Sequence, residues 1–577
     1  MRTPLPFLLA LTLFACKQPE ADTDTDVADT DTDTDTDSDA DTDTDADADT
    51  DTDADADTDT DADADTDTDA DADTDTDTDA DADTDTDTDA DADTDTDTDA
   101  DADTDTDPPA PTACTYAAPL GSVFYVATDG DDSAGDGSIG SPWATITQAL
   151  DSVPDSSTIL VRPGTYTGRV RMRGTFPTGV TVRSEVPYMA KLRNSDTVLT
   201  FYTAGVGCDG ITVEGFDIAH SGPGAGPLLI HADADGTGAV RRITLRNNVL
   251  HDSYNNDILK VNGGISEVVI ERNMFFNQTG QDEHIDINSA SGIIVQDNLF
   301  FNDFAASGRT NNNDTSSFIV AKDSGGANDI YTGSQDLVLR RNVFLNYQGS
   351  TGTGFLLFGE DGQPFYEVSG ATVENNLFLG NSPVLMRSPL GVKGSEDIIF
   401  RNNTVVGDLP SRAFAFRYNL EGANLGIRGV EFSNNIWSDP TGTMGAQDSN
   451  DSNDFSDASP SAILDFIIDN NLYWNGGSAI PEDSSEAINP SDDVSSVTGD
   501  PLLGDLSGLV VPHWDGSAFA DGSTDICGAF ERVVNLYGTP AAGSIALDSA
   551  DPNNAASDDI LGRPRGATPD IGAVEAP

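Results

Sequence analysis

The sequence predicts an all-β chain: a parallel β-helix, or solenoid of short strands, preceded by a disordered acidic linker. Three observations predict it. Eight asparagines, Asn248, Asn273, Asn298, Asn342, Asn376, Asn403, Asn435 and Asn471, each follow two apolar residues placed five and three positions earlier, Ala371 being the smallest of these. Because side chains on a strand alternate faces, that pattern marks a short strand with one buried face and a corner at the Asn. The asparagines are spaced by 25, 25, 44, 34, 27, 32 and 36 residues, so a constant coil carries loops of variable length. Residues 21–107 are Asp alternating with Thr or Ala, with 43 Asp and no basic residue.

In chain order, residues 1–16 form a secretion signal, MRTPLPFLLALTLFAC, too short to span a bilayer permanently. Its ending resembles a bacterial lipoprotein signal, which implies lipidation of Cys16, a lipid anchor in the outer membrane and a place at the bacterial cell surface. The stretch 17–107 offers no face worth burying, and self-repulsion keeps it extended. Residues 21–107 would reach roughly 290 Å at about 3.3 Å per residue, a stalk for a folded head. Setting its 43 Asp charges aside leaves about −33 of the total −76. A chain this acidic is no partner for nucleic acid. An acidic polysaccharide stays open as a partner, since calcium and local cations offset repulsion at one cleft. A monomer is expected.

Residues 108–119 are a Pro- and Ala-rich linker. The helix proper is expected over 120–475, opening with a strand at Phe124 to Ala127, a short capping helix around Trp143 to Val153, and strands at Thr158 to Val161 and Gly168 to Met172. The residues Tyr125-Val126, Gly130-Asp131-Asp132, Ser141-Pro142-Trp143, Thr145-Ile146, Ala149 and Pro163-Gly164-Thr165-Tyr166 resemble the opening of secreted right-handed parallel β-helix proteins. That resemblance implies architecture and no activity, because the fold hosts many chemistries. The Asn series reads as a structural ladder, Asn tolerating left-handed backbone and bonding its neighbours. Phe275, Phe276, Phe300, Phe301, Phe344 and Phe378 read as stacked packing residues. Residues 476–577 are irregular. Their last segments, Asp559 to Arg565 and Pro569 to Glu575, resemble the ends of such proteins and are expected to cap the last coil. Cys114, Cys208 and Cys527 leave one disulfide to be formed, its pairing open.

Chemistry needs ionisable groups that are neither core nor corner. Asn255-Asn256-Asp257-Ile258-Leu259-Lys260 and Gln281-Asp282-Glu283-His284-Ile285-Asp286 supply them on adjacent coils. With Leu259, Val261, Ile285 and Ile287 inward, Lys260 and Asp286 face outward on neighbouring strands about 4.8 Å apart. Asp257, Asp282 and Glu283 lie just upstream. So many carboxylates repel unless a cation is shared, and hard oxygen ligands suit calcium.

The arrangement resembles family nine polysaccharide lyases, calcium-dependent pectate lyases on a β-helix. The resemblance implies Asp257, Asp282 and Asp286 as calcium ligands, with Glu283 where the family has a second Asp. It implies Lys322 as the base of a β-elimination on a uronate glycan, Lys260 being its rival. Such a base needs a pKa lowered by nearby cations or burial. Arg309 is the candidate for binding the chain's other carboxylates. Two other readings stand. One is hydrolysis by Asp257 with Asp282 or Asp286, without the Gly-His-Gly and Arg-Ile-Lys segments of β-helix polygalacturonases. The other is a non-catalytic adhesin or glycan-binding head. His284 is either part of the site or an edge residue without a ligand.

Overall fold

The computed structural model describes residues 114–203, 205–234, 239–325, 330–444 and 455–576. The expected signal segment with Cys16, the acidic stretch 17–107 and the first half of the linker lie outside the described residues. Among those described, the strands form three all-parallel sheets of 12, 12 and 10 strands. Each full coil contributes one strand to each sheet, as in a right-handed parallel β-helix. The first sheet holds the strands before each ladder Asn, the second those after it, and the third those of the charged stretches.

The opening follows the expected order, with Ser122–Val126, the helix Ile146–Ser152, Ser157–Val161 and Val170–Met172. Thr145 caps the helix, its hydroxyl accepting from the Gln148 N–H. Gly164–Thr167 is a further strand, the first of the second sheet.

Alternation holds in each register. Ile243, Val268, Ile293 and Leu337 pair one above another in the first sheet, all buried. Leu259, Ile285 and Ile319 do the same in the third. Inside, Phe275, Phe300, Phe344 and Phe378 stack with ring centroids 4.8, 5.0 and 4.8 Å apart. Each such pair adds about 0.5–1.5 kcal/mol beyond burial. Phe276 and Phe301 stack instead on the outer face of the second sheet.

The Asn ladder runs through the whole coil. The side-chain oxygen of Asn273 accepts from both the backbone N–H and the amide of Asn248, at 3.0 Å each, and this repeats to Asn471. Each amide also donates to a first-sheet carbonyl, as Asn298 does to Ile270 at 2.8 Å. The left-handed backbone expected of these asparagines belongs to the preceding residue, for example Asn247 at φ 55°, Arg272 at 54° and Arg341 at 52°. The reversal there turns the chain, so the Asn that follows is aimed inward, buried and fully bonded.

Ile480, Ala487 and Ile488 pack on the core at the last coil, and Asp493 Oδ2 accepts from Asn471 at the end of the ladder. The residues after them, with the expected cap Asp559 to Arg565 and Pro569 to Glu575, run back over the outer face of the second sheet, where Trp514, Phe519, Ile526, Phe530 and Val574 pack on Val249, Phe276, Phe301, Leu345 and Leu379. A helix unforeseen in the sequence, Ile526–Val533, lies in this segment, capped by Asp525. The outward apolar positions of the second sheet thereby gain a cover. Cys114 pairs with Cys527, with Cα atoms 5.4 Å apart. Cys208 is a free, buried thiol pushed up to about 12 by that burial.

Candidate functional site

Three neighbouring strands of the third sheet, Leu259–Asn262, Ile285–Asn288 and Ile319–Lys322, carry the charged residues. Inward Leu259, Val261, Ile285 and Ile287 anchor them, leaving the alternate positions to the outer face. The register sets Lys260 beside Asp286, and Asn288 between Asn262 and Lys322. Lys260 Nζ stands 3.2 Å from Asp286 Oδ2, and Lys322 Nζ stands 3.7 Å from the same oxygen. One carboxylate therefore serves two ammonium groups.

Asp257 and Glu283 come from the corners that lead into two of these strands. Asp257 Oδ1 accepts from the Glu283 backbone N–H at 3.0 Å, which ties the corners together. Asp257, Glu283 and Asp286 each bring one carboxylate oxygen within 4.8 Å of the others, and all three residues are buried. Burial, followed by the Asp286 charge, pushes the Asp257 carboxyl up to about 6. Burial and Asp257 push Glu283 well above the usual carboxylate value. Asp286 Oδ1 has no hydrogen-bond partner among the described residues. Such a set of hard, crowded, partly unsatisfied oxygens fits a divalent cation such as calcium.

Asp282 stands beside this trio rather than in it. Half-buried, its carboxyl is pushed up to about 7 by burial and by Asp257. The lysines differ from the expectation of a lowered base. Asp286 is the largest influence on Lys260 and holds it above the ordinary lysine value. Burial would lower Lys322, but Asp286 and Glu360 outweigh it. Both are ammonium ions at neutral pH.

Arg309 is not brought to the trio. Its guanidinium donates to Asp252 Oδ1 and the Asn277 carbonyl, both at 2.8 Å, to the Ser253 carbonyl at 2.9 Å and to Thr279 Oγ1 at 3.0 Å. It also lies over the Tyr254 ring, 4.0 Å from the centroid. These contacts clamp a corner and leave no donor pair for a substrate carboxylate. His284 is neither edge nor site. It points inward, its ring 4.5 Å from that of Phe318, and burial pulls it down to about 3. The hydrolase pairing of Asp257 with Asp286 sets two buried acids side by side, one oxygen of each within 4.8 Å of the other.

The structure adds residues that sequence reasoning missed. Glu360, on the loop after Leu356–Phe358, accepts from Lys322 Nζ at 2.6 Å. His231 pairs in register with Lys260 and lies 3.0 Å from Asn262 Oδ1. Counting outward positions from one coil to the next would have found His231. Glu360 sits past a strand end, where alternation gives no direction.

No protein-family model matches the chain, and no curated protein matches it. Among solved structures it is similar to a crystal structure of pectate lyase Pel9A, at 15% identity and a TM-score of 0.48, over 79% of this chain and 97% of that one. It is similar to XylC in complex with xylose, at 12% and 0.45, over 78% and 98%. A rhamnogalacturonan lyase matches at 12% and 0.40, over 73% and 99%.

Proposed function

We propose that this protein binds a uronate-containing glycan along the outer face of the third sheet and cleaves it by β-elimination, with calcium. The observation that carries the reading is the buried trio of Asp257, Glu283 and Asp286 beneath the ammonium groups of Lys260 and Lys322. The trio would hold the cation, which when bound would withdraw charge from a uronate carboxylate and acidify its C5–H. Lys260 and Lys322 orient that carboxylate from the surface. Lys322, once deprotonated, takes the C5 proton. The C5–H electrons form the C4–C5 double bond, the C4–O bond breaks with its pair on oxygen, and Lys260 protonates that oxygen.

One observation favours a second reading, a non-catalytic glycan-binding head. Asp286 and Glu360 hold Lys322 protonated, which suits a carboxylate ligand better than proton abstraction. Incubation with polygalacturonate and other uronans, with and without calcium, separates the two. Ultraviolet absorbance from unsaturated ends is the expected result. Calcium-dependent binding without product establishes the second reading, and new reducing ends without absorbance would mean hydrolysis. The same reading puts the protein at the bacterial surface through a lipidated Cys16. Cys16→Ser is expected to shift it from the membrane to the soluble fraction.

A further inference from the structure

Further along the third sheet the outer face turns basic. The strands Leu390–Lys393 and Phe416–Asn419 pair in register, and Gly391 stands between Leu357 and Arg417 in one outward column. Lacking a side chain, Gly391 leaves a hollow; a Cβ there would come within 2.9 Å of Leu357 Cδ1. The resulting cleft is shallow, about 20 Å³, and is lined by Arg387, Lys393 and Arg417 among others. Arg387 Nε and Arg417 Nε both donate to one oxygen, Asp457 Oδ2, at 3.0 and 3.1 Å. Among the described residues, two guanidinium groups thus share one carboxylate, so one of the two positive charges lacks a carboxylate of its own. Lys393 is paired with Glu421 at 2.7 Å, a side chain 52% exposed and able to swing into water. In a chain of net charge −76 this concave cationic spot is exceptional.

We propose that this cleft is a second anion subsite, taking the carboxylate of a distant uronate on the same glycan chain. The inference rests on the glycan reading above and adds a length requirement to it. Arg417 is four strand steps from Asp286, or about 19 Å at about 4.8 Å per step. A 1,4-linked pyranose advances by about the height of one coil, so a chain lying along the sheet places a ring near each strand. A trimer seated at Asp286 ends short of Arg417, and a hexamer reaches it. Burial and the neighbouring Arg387 push Arg417 below its usual value, so an arriving anion relieves both. Planar guanidinium forks suit a carboxylate.

Calorimetric titration of the full chain with oligogalacturonates tests this, calcium present and in a Lys322→Gln background to stop turnover. The hexamer is expected to bind about tenfold or more tightly than the trimer, as for one charge-assisted contact. Arg417→Gln and, separately, Arg387→Gln are expected to erase that gain and leave trimer affinity unchanged. The methyl-esterified hexamer is expected to show no gain. Should Arg417→Gln fail to fold in a thermal melt, Arg387→Gln decides, since it lies on a loop. A gain that survives in the folded variants, or in the ester, overturns the subsite and leaves the glycan reading standing. Failure of both oligomers to bind overturns the glycan reading and the subsite together.

Discussion

Asp286 is the residue on which the site turns. It pairs with Lys260, shares Lys322 with Glu360 and faces Asp257 and Glu283, so its loss takes from Lys260 its paired carboxylate and from Lys322 one of two. Asp286→Asn is expected to abolish calcium binding and any uronan cleavage, and to cost about 3 kcal/mol in urea unfolding, as for a buried pair broken from one side. The acids also set a pH dependence. Asp257, raised to about 6, and Glu283, raised well above the usual carboxylate value, hold protons that a cation must displace. Calcium affinity is therefore expected to fall as pH drops from 8 through 7 to 6, read by calorimetry with proton release measured in two buffers. The adjacency of Lys260 and Asp286 was legible because both sit mid-strand, where period two holds. The inward turn of His284 and the occupation of Arg309 were not, because both depend on corners and loops where no period governs direction.

The Asn ladder behaves as one continuous element rather than eight turns. Asn298→Ala would remove the acceptor of the Asn273 backbone N–H and of one Asn273 amide hydrogen, and the side-chain donor to the Ile270 carbonyl, in a dry interior. With about 1–3 kcal/mol for each unmet group, a loss of about 3 kcal/mol or more is expected in urea unfolding. A ladder serving as mere corner residues would cost far less. The series was visible in the sequence through its spacing, whereas its partner geometry was not. The left-handed position falls on Asn247, Arg272 and Asp297, residue types of which Arg gives no such signal. The helix Ile526–Val533 was likewise hidden, being short and surrounded by irregular Ser- and Asp-rich sequence.

For the molecule as a whole, the return of the C-terminal segment over the second sheet is the main departure from expectation. Its docking is joined to a buried charge network. His251 lies 2.8 Å from both Asp217 and Asp252, and Asp217 also accepts from Trp514 Nε1 at 3.3 Å. Burial would lower His251, but the two carboxylates outweigh it and raise it. A raised histidine stabilises below its unfolded value of about 6.5 and ceases to do so as pH rises through the folded value. Wild-type Tm is therefore expected to fall between pH 6 and 9 more steeply than that of His251→Gln. The disulfide adds a covalent closure across 413 residues. Cys527→Ser is expected to cost up to about 5 kcal/mol by loop entropy, read as a lower Tm.

That closure also decides how the head would bear tension. A pull on the chain ahead of Cys114, resisted by a ligand gripped on the third sheet, would otherwise unzip the edge strand Ser122–Val126 one hydrogen bond at a time. Through Cys527 the load passes instead to the helix Ile526–Val533, which is packed across several coils and must be sheared off them together. The edge strand of the solenoid is thereby bypassed in the load path.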